Sequence, residues 1–162
     1  MEYNNTTIRR QDRLLSEEKA RLLLRDGEYG VLSMLSPEGV PYGIPVNYVW
    51  DGSESIYIHC APEGRKLRCI RHSANVSFCI VGDTHVLPNK FTTNYESIVL
   101  SCQAQVGLLA DERKAALSLF VGKYASEFRE IGEKYTEKSF HRTEIIRLRI
   151  LSFSGKSKSV HA

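Results

Sequence analysis

A chain of 162 residues, 42% of them hydrophobic, holds enough material for one domain with a real core and too little for two. Its formal net charge of +3 comes from Lys and Arg scattered among Asp and Glu, which argues against a nucleic-acid or acidic-polymer binder and suits an anionic cofactor equally well. No run approaches the length of a membrane span, and the polar start from Met1 to Gln11 lacks a secretory apolar stretch, so the expected location is cytoplasmic, with no membrane partner.

Residues 1–12 read as a flexible arm. Ser16-Glu17-Glu18 then offers an N-cap and acidic first turn for a helix carrying Ala20, Leu22, Leu23 and Leu24, ending at Asp26-Gly27. Gly30 to Leu35 is apolar enough for a buried strand, and Ser36-Pro37-Glu38-Gly39 is a turn. From Val40 to Trp50 a second strand is expected, placed on an edge or near a ligand because Pro41 and Pro45 cannot donate to a ladder. Asp51-Gly52 closes a hairpin into Ser55 to Cys60.

A loop, Ala61 to Gly64, opens a basic helix from Arg65 to Arg71 with Leu67 and Ile70 on its inner face. A strand follows from Val76 to Val81, then a polar connection over 84–94. Tyr95 to Leu109 alternates, with Ile98, Leu100, Cys102 and Ala104 on one face and Ser97, Ser101 and Gln103 on the other. Asp111 caps a helix containing Leu117, Phe120, Val121 and Tyr124, and a second helical stretch holds Phe128, Ile131 and Tyr135. A last strand runs from Thr143 to Phe153, and residues 155–162 read as a frayed tail.

These elements predict a mainly β domain over 13–154, an antiparallel barrel of about six strands decorated by helices; neither βαβ alternation nor G-x-G-x-x-G suggests a doubly wound sheet. Cys60, Cys69, Cys79 and Cys102 lack C-x-x-C or metal-site spacing and read as free thiols, so no metal is expected.

The chemistry concentrates where a strand, a Gly-containing loop and a basic helix meet, from Ile56 to Leu67. Unsatisfied amides at a helix start, the helix dipole, and Arg65 with Lys66 would hold a phosphate. From spacing alone, solvated helix cations account for Arg65 and Lys66 equally well. His59, a few residues before that helix, has the pKa of a proton donor or orienting group, while His72 at a helix C-terminus reads as structural and His85, His141 and His161 receive no role.

This segment resembles the flavin-phosphate signature of the pyridoxamine 5'-phosphate oxidase-like split barrels, and the order of the whole chain is similar to their nitroimidazole-resistance branch. The resemblance runs through Gly30-Val31-Leu32, Pro41 to Tyr48, Tyr57-Ile58-His59, Gly64-Arg65-Lys66, Val76-Ser77-Phe78, Phe91 to Ser97, and Ile150 to Lys156. It implies a six-stranded antiparallel split β-barrel that binds FMN, with FAD as the alternative, and reduces small molecules, 5-nitroimidazoles among them, with electrons from an external donor. Arg65 and Lys66 would hold the phosphate, Ile58, His59 and Cys60 would line the flavin with His59 catalytic, and Val46 and Asn47 would meet the isoalloxazine edge. Thr93, Tyr95 and Ser97 would approach the same site from either subunit of a homodimer whose flavins lie at the interface. Two departures stand out: Ile44 to Val49 carries no Arg or Lys, and the C-terminal strand lacks the Arg-x-His of the oxidases proper, which disfavours pyridoxamine phosphate oxidation. A flavin carrier or sensor without turnover is the alternative function.

Overall fold

The computed structural model describes residues 1–160; His161, given no role above, lies outside the described residues. In chain order the elements are β1 (Glu2–Tyr3), α1 (Glu17–Asp26), β2 (Gly30–Leu35), β3 (Pro41–Val46), β4 (Val49–Trp50), β5 (Ser55–Cys60) and α2 (Arg65–His72). They continue with β6 (Asn75–Leu87), β7 (Thr92–Gln105), α3 (Ala110–Tyr124), α4 (Arg129–Ser139) and β8 (Glu144–Lys158). Seven strands form one path in the order β3-β2-β6-β7-β8-β5-β4, and β1 adds to β8 in parallel. The class is as expected, mainly β with helices and an antiparallel sheet that curls without closing. Among the described residues, no helix is long and apolar enough to cross a membrane.

The two ends of the path are consecutive in the chain. β3 and β4 are the sheet's open edges, and the only chain between them is Asn47-Tyr48. The single strand expected from Val40 to Trp50 is thus two, broken because Tyr48 turns inward. Its side chain is fully buried, its hydroxyl donates to Leu24 O at 2.7 Å, and its ring meets Phe78 edge-on at 5.2 Å. Pro41 and Pro45 sit in β3, where an edge strand tolerates the missing donors.

Alternation fixes the register elsewhere. Ile98, Leu100, Cys102 and Ala104 of β7 are buried while Val99, Ser101 and Gln103 face out, and Leu32, Phe78 and Leu100 lie side by side across β2, β6 and β7. Each fully buried side chain of this size contributes roughly 1.5–3 kcal/mol to folding. Gly30 permits a close approach, since a Cβ there would stand 2.3 Å from the Phe78 ring. Helix α1 starts where predicted, with Ser16 Oγ accepting from the Lys19 amide at 3.3 Å.

Three segments expected to be irregular are ordered in the sheet. The polar stretch 84–94 extends the β6–β7 hairpin, pairing Thr84 with Tyr95 and Leu87 with Thr92 beyond a register shift at Val81. The hairpin here runs past the core, so it lacks the apolar face that would have revealed it. The tail expected from residue 155 instead continues β8 to Lys158, and Tyr95 pairs with Lys158. The arm expected over 1–12 is tied down as well: Glu2 and Tyr3 pair with Ser152 and Phe153, and the Tyr3 ring lies 4.8 Å from that of Phe153. With β1 and the split of 40–50, the expected six strands become eight.

Candidate functional site

Strand β5 sends Ile56 and Ile58 into the core and leaves Tyr57 and His59 on the outer side. Beyond Cys60 the chain turns through Gly64, whose φ of +153° an L side chain rarely adopts and whose missing Cβ leaves open space, and α2 begins at Arg65. Leu67, Cys69 and Ile70 anchor α2 on the barrel, so Arg65, Arg68 and Arg71 stay exposed and Lys66 is half-buried. No side chain caps this helix, and its first turn holds no acid. Its amides and two cations therefore present an anion site at the C-terminal end of β5.

Side chains pin this site in place. The Arg65 guanidinium lies 4.1 Å over the Tyr42 ring of β3, which holds a long side chain against a strand. Lys66 acts on both residues preceding the loop. Partial desolvation, then the charge of Lys66, lowers the basicity of His59, which is neutral near pH 7. Burial raises the Cys60 thiol, with Lys66 opposing that rise.

The His59 ring opens into a hollow of about 350 Å³ lined by Asn47, Phe120, Val121, Tyr124, Ala125, Gly132, Tyr135 and Thr136. Phe120 meets His59 edge-on at 4.9 Å and 86°, and Tyr124 stacks on Phe120 at 5.9 Å and 20°. The opening of the barrel is clamped from the same side. Asn47 Nδ2 donates to Glu28 O at 3.0 Å, the Tyr48 amide donates to Tyr124 Oη at 3.2 Å, and the Tyr124 hydroxyl lies 2.7 Å from Tyr48 O and 2.8 Å from Glu28 O. Lys123 Nζ donates to Gly27 O at 2.7 Å and Tyr48 O at 3.2 Å, 3.9 Å above the Tyr48 ring. Desolvation lowers its pKa to about 8, against the pull of Asp26.

Of the residues singled out in the sequence, the structure brings Asn47 and His59 into one hollow and sets Cys60, Arg65 and Lys66 around the start of α2. Val46 ends β3 and, with Asn47, lines a neighbouring hollow against Glu28 and Tyr29. The Ile58 side chain is fully buried in the core, because alternation turns it opposite to His59, so a role in lining a ligand falls to its backbone. Thr93, Tyr95 and Ser97 are not near His59 in the same chain. Ile145 of β8 faces His59 whereas Lys156 faces Ser97, eleven residues and about 36 Å further along the strand. Sequence reasoning missed Tyr42, Lys123 and Tyr124 as site residues and read Phe120 and Tyr124 as helix core; their helical spacing carries no sign of which face meets His59.

The open antiparallel barrel thus carries at its rim an uncapped basic helix start beside an accessible His, an arrangement whose charge suits an anion. The chain belongs to the pyridoxamine 5'-phosphate oxidase family, whose profile matches residues 16–157. No curated protein matches it. Among solved structures, a candidate 5-nitroimidazole antibiotic resistance protein from Bacteroides thetaiotaomicron VPI-5482 superposes with a TM-score of 0.73 at 16% identity, covering 90% of this chain and 86% of that one. A FAD-binding protein from Mesorhizobium loti gives 0.66 at 20% identity, over 91% and 98%. The heme storage protein HutZ from Vibrio cholerae gives 0.59 at 15%, over 85% and 90%. At these identities the likeness carries the fold.

Proposed function

We propose that this chain binds a flavin mononucleotide and passes its electrons to a small nitroaromatic compound of the 5-nitroimidazole type. The observation that carries the reading is the anion site at Gly64-Arg65-Lys66, which fits a phosphate on three counts. The helix start has no side-chain cap or acid, two cations flank it, and the position of a Gly64 Cβ has open space within 4 Å. The family match and the flavin named for the Mesorhizobium relative support the same cofactor class, with FAD as the alternative form.

The flavin supplies the redox chemistry when bound, loaded by an external reductant. Arg65, Lys66 and the α2 amides hold its phosphate. His59, neutral near pH 7, donates a ring N–H to an oxygen of the substrate, and Lys66 beside it stabilises negative charge that develops there.

A second copy of the chain completes the site in this proposal and supplies Thr93, Tyr95 and Ser97. The outer face of β2, β6 and β7 supports it, with Val31, Cys79 and Val99 in one cross-strand row and Ser33, Ser77 and Ser101 in the next, all uncharged and none buried.

The absorbance spectrum of the purified protein, with mass identification of the released cofactor, tests the reading and separates FMN from FAD. A flavin spectrum that bleaches on reduction and returns when a 5-nitroimidazole is added without oxygen is expected. Colourless protein that cannot be reconstituted with either flavin refutes it.

A further inference from the structure

We infer that the hollow between β5 and the α3–α4 pair is a binding site for a flat, uncharged, single-ring aromatic compound, seated against His59, Phe120 and Tyr135. As the place where a substrate is held, it rests on the flavin reading above; as a binding site, it stands on its own walls.

Size, charge and shape point the same way. A cavity of roughly 150 Å³ accepts benzene, so a partly open hollow of about 350 Å³ is ample for one substituted ring. None of the lining residues is a Lys, Arg, Asp or Glu, and Lys66, whose charge reaches His59, is not among them, so a fully charged ligand makes no direct ion pair inside the hollow. Phe120, Tyr124 and Tyr135 supply rings, and the edge-on meeting of Phe120 with His59 is the geometry in which a further aromatic ring extends the same packing.

The polar atoms are few and placed at the walls. His59 offers its imidazole, and Asn47 is held by its bond to Glu28 O. Thr136 Oγ1 donates to Glu133 O at 2.8 Å, which leaves its oxygen able to accept. A ring bearing one hydroxyl, amide or nitro substituent finds a partner here without carrying charge.

Gly132 brings α4 close against Val121 of α3, while Ile131 and Tyr135 are 69% and 64% exposed, so the Tyr135 ring is free to cover an entering ring.

The test is proton NMR of the His59 ring, identified with His59→Gln, as p-cresol is added to the purified protein. A saturable shift is expected, with cyclohexanol, of similar size but not planar, binding about tenfold more weakly. Thr136→Phe, which fills the hollow from α4, should abolish the shift and leave the flavin absorbance unchanged; Tyr135→Ala, at an exposed position, should weaken p-cresol binding without unfolding the protein. No shift, or equal binding of cyclohexanol, overturns the inference. Loss of flavin from Thr136→Phe also overturns it, by assigning the hollow to the cofactor. A shift in protein that cannot be reconstituted with either flavin refutes the proposed function alone, whereas bound flavin with no shift refutes this site alone.

Discussion

Replacing both Arg65 and Lys66 with alanine is expected to weaken FMN binding by about 3 kcal/mol. A hydrogen bond to a charged group contributes about 1.5–3 kcal/mol. Arg65 is exposed, so screening and side-chain entropy bring its share to the bottom of that range or below. Lys66 is half-buried and close enough to depress His59, so its charge is less screened and its share is larger. About 3 kcal/mol is a rise in Kd of roughly 150-fold, since 1.4 kcal/mol is tenfold. Quenching of FMN fluorescence by the apoprotein measures it, and the loss should shrink as salt rises. Arg68→Ala, one turn further along the same exposed face, serves as the control and should change the Kd by less than about threefold. A double variant within about twofold of the parent would refute the phosphate site.

Tyr42→Leu removes the ring beneath Arg65 and should raise the flavin Kd by about threefold, the size of an exposed cation–π contact, with Tyr42→Phe restoring it. His59→Ala should leave flavin bound and slow nitroimidazole reduction by about 100-fold; an unchanged rate removes His59 from the mechanism. In an NMR titration His59 should give a pKa below its ordinary value, and Lys66→Gln should move it upward. Lys123 titrates near 8 in the folded chain against 10.5 ordinarily, so between those pH values the unfolded chain binds the extra proton and stability rises with pH. Urea midpoints of the parent and Lys123→Met should therefore diverge from pH 7.5 to 9.5, the parent gaining. Burial pushes the Cys102 thiol up to about 12, and Cys69 is fully buried. Iodoacetamide should consequently modify Cys60 and Cys79 in the native protein well before either of these.

The parts of this fold that announce themselves in the sequence are those where one physical signal acts alone. Ser16 ahead of two acids marks the start of α1, and the alternation of Ile98 through Ala104 gives the buried face of β7. Gly64 before Arg65 and Lys66 marks the candidate anion site, because a turn, a helix start and two cations coincide within three residues. The hairpin beyond Val81 and the last residues of β8 carry no such mark, since strands paired outside the core need no apolar face. The inward turn of Tyr48 is equally silent. Tyr48 follows Asn47 in what reads as one continuous strand, and only the packing of Phe78 and the carbonyl of Leu24 draw it inside. Ile58 and His59, adjacent in one strand, end on opposite sides of the sheet, and Ile58 as the β-branched apolar residue takes the core side.

The Asn47-Tyr48 link bears on how the sheet guards its edges against strand addition. An unclosed sheet exposes two rows of backbone donors and acceptors, the template on which fibrils grow. Here one row belongs to β3, where Pro41 and Pro45 lack the N–H a new strand would need, and the other to β4, which is two residues long. Because the chain passes directly from one edge to the other through the buried Tyr48, the two edges are tied together at that corner. Both edges of the strand path are therefore poor templates for a further strand.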